Sequence, residues 1–120
     1  MKLLVVDDAA TVRDLVNQQL NASGLDEVIF ARDGYEALEQ FRRHRPELVL
    51  LDLTMPEMDG LTCLSQIKAI APQTQVAVIS ALTDAETAIE AVERGASEFL
   101  YKPFTGDELN TAIEQLRSLL

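Results

Sequence analysis

Leu48-Val49-Leu50-Leu51-Asp52 is the stretch on which the fold turns: four aliphatic residues in unbroken succession, stopped by a carboxylate. A strand with one wet face alternates apolar and polar residues. A run with no alternation suits a strand covered on both sides, as in parallel sheets packed between helices. The same arrangement recurs on either side of it. Lys2–Val6 is apolar and stops at Asp7-Asp8, Val76–Ile79 stops at Ser80, and Glu98–Tyr101 stops at Lys102-Pro103. Val28–Ala31 is a weaker fifth run.

Between the runs, apolar residues return at helical spacing. Val12, Leu15, Val16 and Leu20 mark a first helix that ends at Asn21-Ala22-Ser23-Gly24. Asp33-Gly34 opens a second, with Ala37, Leu38 and Phe41 on its apolar face, closed before Pro46. After a loop over 55–59 held by Pro56 and Gly60, a third carries Leu61, Leu64, Ile67 and Ile70. Asp84 is placed as the N-cap of a fourth that carries Ala85, Ala88, Ile89 and Val92 and stops at Gly95. The fifth spans Thr105–Leu120 with Leu109, Ala112, Ile113, Leu116 and Leu120 on its buried face. Short strands alternating with helices imply βαβ units, and right-handed crossovers then imply an α/β, doubly wound (βα)5 three-layer sandwich around a five-stranded parallel sheet.

Composition narrows the function. The 120 residues are expected to form one domain over 1–120, with no room for an appended helix-turn-helix. Twenty acids against ten Lys and Arg give a net charge of −10, which opposes binding to nucleic acid or to an anionic membrane. No apolar run approaches the roughly 18 residues of a membrane span, and Leu3–Val6 is far shorter than a signal-peptide core. A lone cysteine, Cys63, forbids an internal disulfide and fits a reducing, cytoplasmic setting.

In an open α/β sheet the ligand sits beyond the carboxyl ends of the strands. The residues expected there are Asp7 and Asp8, Asp52, Ser80 and Lys102, each group following a different strand. Two carboxylates about 5 Å apart repel by roughly 3 kcal/mol at an effective dielectric near 20. Three acids against one lysine therefore call for a divalent cation. A few carboxylates with positions left for water and phosphate oxygen suit Mg²⁺. Lys102 and Ser80 supply a cation and a hydroxyl for phosphoryl oxygens, and a carboxylate can itself be the nucleophile, forming an aspartyl phosphate.

Four motifs, in this order, carry a resemblance: Val5-Val6-Asp7-Asp8, the stretch from Leu51-Asp52 through Thr54-Met55-Pro56 to Asp59-Gly60, Ile79-Ser80-Ala81, and Gly95-Ala96 followed by Lys102-Pro103-Phe104. Over essentially its whole length the chain resembles the receiver domain of two-component response regulators, most closely the single-domain chemotaxis members. The resemblance implies a flavodoxin-like sheet of strand order 2-1-3-4-5. It implies that Asp52 accepts a phosphoryl group from a histidine kinase, with Asp7, Asp8, Asp52 and the backbone carbonyl of Thr54 holding Mg²⁺. It further implies that Lys102 pairs with the phosphate, that Ser80 and Phe99 are the switch residues, and that Lys102–Pro103 is cis. Position 54 varies in the family and bears on how long the phosphoryl survives; Phe99 stands where the best-known chemotaxis members have Tyr. A downstream protein target would then read the face of the fourth helix, fifth strand and fifth helix, near Ala88, Val92, Phe99 and Tyr101. The chain is expected to be a phosphoacceptor and not a turnover enzyme.

The rival reading is a haloacid-dehalogenase-like phosphohydrolase, which also uses an Asp nucleophile, Mg²⁺, Ser/Thr and Lys. Its nucleophile follows the first strand, whereas Asp52 follows the third, and the chain lacks length for a substrate-selecting cap. An FMN carrier would need a Ser/Thr/Gly-rich loop where Asp7-Asp8 would repel the phosphate. A receiver cut from a longer regulator, or one that binds partners unphosphorylated, shares the same residues. His44, in Arg42-Arg43-His44-Arg45, is read as a solvated helix end, Cys63 as core filler, Met55 and Met58 as loop packing, and Glu86, Glu90 and Glu93 as a wet helix face.

Overall fold

A computed structural model describes residues 1–54, 58–81 and 85–120, without the side chains of 20–23, 81 and 85. Strands β1 (Lys2–Val6), β2 (Glu27–Ala31), β3 (Leu48–Asp52), β4 (Gln75–Ala81) and β5 (Glu98–Lys102) alternate with helices α1 (Ala10–Ser23), α2 (Gly34–His44), α3 (Gly60–Ile70), α4 (Ala85–Glu93) and α5 (Gly106–Ser118). All pairings are parallel, in the order β2-β1-β3-β4-β5. This is the expected doubly wound sandwich and the order implied by the family resemblance.

Successive strand residues point to opposite faces, which divides the core in two. Leu4, Val6, Val49, Leu51, Val76 and Val78 pack under α2, α3 and Ala91 of α4. Leu3, Val5, Leu48, Leu50, Ala77 and Ile79 pack under α1 and α5. Both faces of β1 and β3 are dry, so neither strand alternates in sequence. Helix ends follow side-chain chemistry. Asp33 caps α2 by accepting from Glu36 N at 2.8 Å, and Asp59 caps α3 by accepting from Thr62 N at 2.8 Å. Thr105 and Glu108 form a reciprocal capping box on α5. Helix α1 runs through Ser23 and closes at Gly24, which takes a left-handed φ of 69°.

Three expectations need correction. Asp52 and Lys102 are the last residues of β3 and β5, and Ser80 lies inside β4, because the ladder runs further than the apolar runs: Asp52 pairs with Ile79, Ser80 with Tyr101 and Ala81 with Lys102. Helix α4 buries Ala88 and Ala91, while Ile89 and Val92 are 61% and 51% exposed. Both pairs have i,i+3 spacing; the alanine stripe lets the helix approach the sheet closely. Arg94 fixes that rotation by donating to Leu61 O at 3.2 Å and Ser65 Oγ at 3.1 Å on α3. Finally, α5 stops at Ser118, so Leu120 lies beyond its buried face and is exposed. Asp84 as a cap, the 55–57 part of the loop and the side chain of Leu20 fall outside the described residues. Among the described residues no helix is long and apolar enough to cross a membrane.

Candidate functional site

The sheet brings the sequence-picked acids together. Asp7 follows β1, and β1 and β3 are neighbours in the centre of the sheet. Carboxylate oxygens of Asp7, Asp8 and Asp52 all lie within 4.8 Å of one another. Asp7 and Asp52 are buried and Asp8 is exposed, so the cluster opens to solvent on one side. Two of the acids are held by their own turns. Asp7 Oδ1 accepts from Ala9 N at 2.8 Å, and Asp52 Oδ1 accepts from Thr54 N at 2.9 Å, each two residues on.

Lys102 arrives from β5 on the same side of the sheet as Asp52: alternation groups it with Leu100, and Asp52 with Leu50, over the α1–α5 core. Its Nζ lies 3.2 Å from Asp52 Oδ2 in hydrogen-bonding geometry. It also lies 3.0 Å from Asp7 Oδ2, but out of line for a hydrogen bond, so that contact is an ion pair only and the buried oxygen has no aligned donor. Burial works against the Lys102 charge, yet the carboxylates of Asp7 and Asp52 outweigh it and hold the ammonium above the ordinary lysine range. Burial pushes the Asp7 carboxyl up; the Ala9 amide and Lys102 offset this in part, and the charge of Asp52 adds to it. The Lys102–Pro103 bond is cis, as the resemblance implies.

Ser80 belongs to the other side. Alternation along β4 and β5 places it over the α3–α4 face, with Phe99 and Tyr101 on that face too, and its register partner is Tyr101. Phe99 is half-buried against the α2–α3–α4 core, and its ring stacks on Tyr101 with centroids 6.3 Å apart. The strand residues therefore divide into a charged pair, Asp52 and Lys102, over one face and a hydroxyl–aromatic group, Ser80, Phe99 and Tyr101, over the other, close to the strand ends. Gly60 supports the first group. A Cβ there would fall 2.4 Å from Leu53 Cα and 2.7 Å from Asp52 O, so only glycine lets α3 start against the end of β3.

Two features escaped the sequence reading. The Thr54 hydroxyl donates to Asp52 Oδ1 at 2.9 Å, although only its carbonyl had been singled out. A Thr two residues after an Asp at a strand end is a signal for such a turn. The second is a groove of about 500 Å³ beside Lys102, lined largely by apolar residues including Val12, Leu15, Pro103 and Phe104. Its walls come from α1 and the β5–α5 connection, which no local pattern links. Cys63 is fully buried, and burial pushes its thiol up to about 12, so it is core filler.

Comparison with known proteins agrees with this geometry. The profile of the response regulator receiver domain matches residues 3–114. Chemotaxis protein CheY of Bacillus subtilis (strain 168) is 40% identical over 114 residues, which cover 95% of each chain. The crystal structure of the receiver domain of NtrX from Brucella abortus superposes with a TM-score of 0.85 at 38% identity, covering 97% of this chain and 98% of that one. Vibrio cholerae chemotaxis protein CheY4 gives a TM-score of 0.87 at 29% identity, over 96% and 97% of the two chains. None of these favours a phosphohydrolase. With its acids, lysine and hydroxyl gathered at the carboxyl edge of a 2-1-3-4-5 parallel sheet, this chain belongs to the family of response regulator receiver domains of two-component signalling.

Proposed function

We propose that Asp52 is the phosphoacceptor, that Asp7, Asp8, Asp52 and the Thr54 carbonyl hold Mg²⁺, and that phosphorylation is relayed through Ser80 and Phe99 to a protein-binding face. The observation that carries this reading is the Lys102 ammonium held between two buried carboxylates, 3.0 Å from Asp7 and 3.2 Å from Asp52, beside a third acid open to solvent. The donor set fits the metal: three carboxylates with room for water are a hard-oxygen site. Asp7 belongs to that cluster, and its buried Oδ2, without an aligned donor, is held as an ion pair by the Lys102 ammonium 3.0 Å away. When bound, Mg²⁺ supplies positive charge for phosphoryl oxygens.

In the transfer, a carboxylate oxygen of Asp52 attacks the phosphorus of a kinase phosphohistidine in line. The new O–P bond forms as the P–N bond breaks, and the imidazole leaves with the bonding electron pair. Lys102 stays charged throughout and pairs with the phosphoryl oxygens as charge moves onto them. The acyl phosphate adds about −1.5 to −2 charge at Asp52 and draws the Ser80 hydroxyl toward it. Phe99 then repacks, and the surface bearing Ile89, Val92 and Tyr101 changes; this is a shift between two packings. Ala88, first placed on that face, is buried and takes no part in contact. The product is a stoichiometric phosphoprotein, not a turnover catalyst, and a cytoplasmic location agrees with the single buried thiol.

With acetyl phosphate and free Mg²⁺, the chain should acquire one phosphoryl group that hydroxylamine removes, as an acyl phosphate requires. EDTA should prevent the labelling. Label that resists hydroxylamine, or forms equally well in EDTA, contradicts the proposal.

A further inference from the structure

Asp7 and Asp52 are not equally ready for a cation. Asp7 Oδ1 accepts one amide, from Ala9, which leaves it a lone pair, and its Oδ2 faces the Lys102 ammonium at 3.0 Å. Asp52 is committed at both oxygens. Oδ2 takes the Lys102 ammonium, and Oδ1 takes two donors on Thr54, the backbone N–H and the hydroxyl, each at 2.9 Å. A carboxylate oxygen has two lone-pair directions, so two donors leave Oδ1 nothing to offer a metal.

Building on the metal site proposed above, we infer that the Thr54 hydroxyl is a positioning residue that closes Asp52 Oδ1 in the metal-free protein and must be displaced when Mg²⁺ binds. The alternative is displacement of Lys102 from Oδ2. That would take an ammonium away from two buried carboxylates and leave it beside a divalent cation. The Thr54 amide is fixed by the chain, and one amide on Oδ1 still leaves a lone pair free. The hydroxyl is neutral, lies on an exposed side chain and leaves by rotation about a single bond, so it is the group that yields. Thr54 thereby tunes metal affinity against a hydrogen bond made only without the metal. Removing the hydroxyl strengthens binding, whereas damage to the site weakens it.

The test is a Mg²⁺ titration of the full chain followed by backbone amide shifts near Asp7 and Asp52, for wild type, Thr54→Val and Thr54→Ser, each shown to be folded by its thermal transition. Thr54→Val should bind Mg²⁺ about three- to tenfold more tightly, the range set by one net hydrogen bond, and Thr54→Ser should match wild type. Unchanged or weaker binding by Thr54→Val overturns the inference. Tightening in Thr54→Ser as large as in Thr54→Val also overturns it, since the hydroxyl would then be irrelevant. If wild type and both variants show no Mg²⁺-dependent shifts, the metal site itself is wrong, and the inference falls with it.

Discussion

Asp7 is the residue at which burial works against the charge that the proposed metal site requires. Its folded carboxyl titrates above the ordinary aspartate value of about 3.9, chiefly because it is buried. For a pKa raised on folding, the stabilising contribution is fully present below the unfolded value and is lost as pH rises through the folded one. At neutral pH the ionised Asp7 is therefore a liability. Asp7→Asn should melt at a higher temperature than wild type at pH 7 in EDTA, and its advantage should shrink as pH falls through the acid range toward 4. Saturating Mg²⁺ should then raise the melting temperature of wild type more than that of the variant. A constant difference across this pH range would show that the Asp7 charge is not the cause. Most residues of this site were legible in sequence because each acid or base ends an apolar run, as Asp52 ends Leu48–Leu51. The Thr54 hydroxyl was not, because its partner is set by a local turn and not by a run or a period.

At the scale of elements, α4 shows where pattern reading fails and packing decides. Two apolar stripes with the same spacing, Ala88–Ala91 and Ile89–Val92, compete for the sheet, and hydrophobicity alone selects the larger side chains. The smaller stripe is buried, because a helix clamped to α3 by Arg94 has room only for alanine. Ala91→Leu should destabilise by about 1–3 kcal/mol through overpacking. Ile89→Ser should cost about 0.5 kcal/mol or less. Urea unfolding of the two variants reads both, and the reverse ranking would mean that α4 is turned the other way. The other helices posed no such contest: α2 has one apolar stripe, Ala37, Leu38 and Phe41, and all three are buried as expected. Strands β3 and β5 run one charged residue further than expected, to Asp52 and Lys102, and β4 runs on through Ser80 and Ala81, since ladder pairing continues past the apolar runs.

For the molecule as a whole, the division of the sheet into two faces becomes a division of labour. Lys102 and Asp52 meet over the α1–α5 side, whereas Phe99 and Tyr101 lie on the α3–α4 side and Ile89 and Val92 are exposed on α4, so the proposed function would put chemistry on one face and readout on the other. Ser80 is buried inside β4, one residue before its end. Phe99→Ala should still take a phosphoryl group at Asp52, yet lose the phosphorylation-dependent amide shifts that wild type shows along α4 and around Tyr101. Retention of those shifts would remove Phe99 from the relay. The net charge of −10 sets the wider context: it disfavours polyanions, in keeping with the proposal of a protein target at the exposed Ile89, Val92 and Tyr101. The central claim is that one carboxylate, Asp52, receives the phosphoryl group. The direct measurement is the intact mass of wild type and Asp52→Asn, incubated side by side with Mg²⁺ and acetyl phosphate. Wild type should gain a single phosphoryl group and Asp52→Asn none; an equal gain in Asp52→Asn would place the acceptor elsewhere and contradict the account.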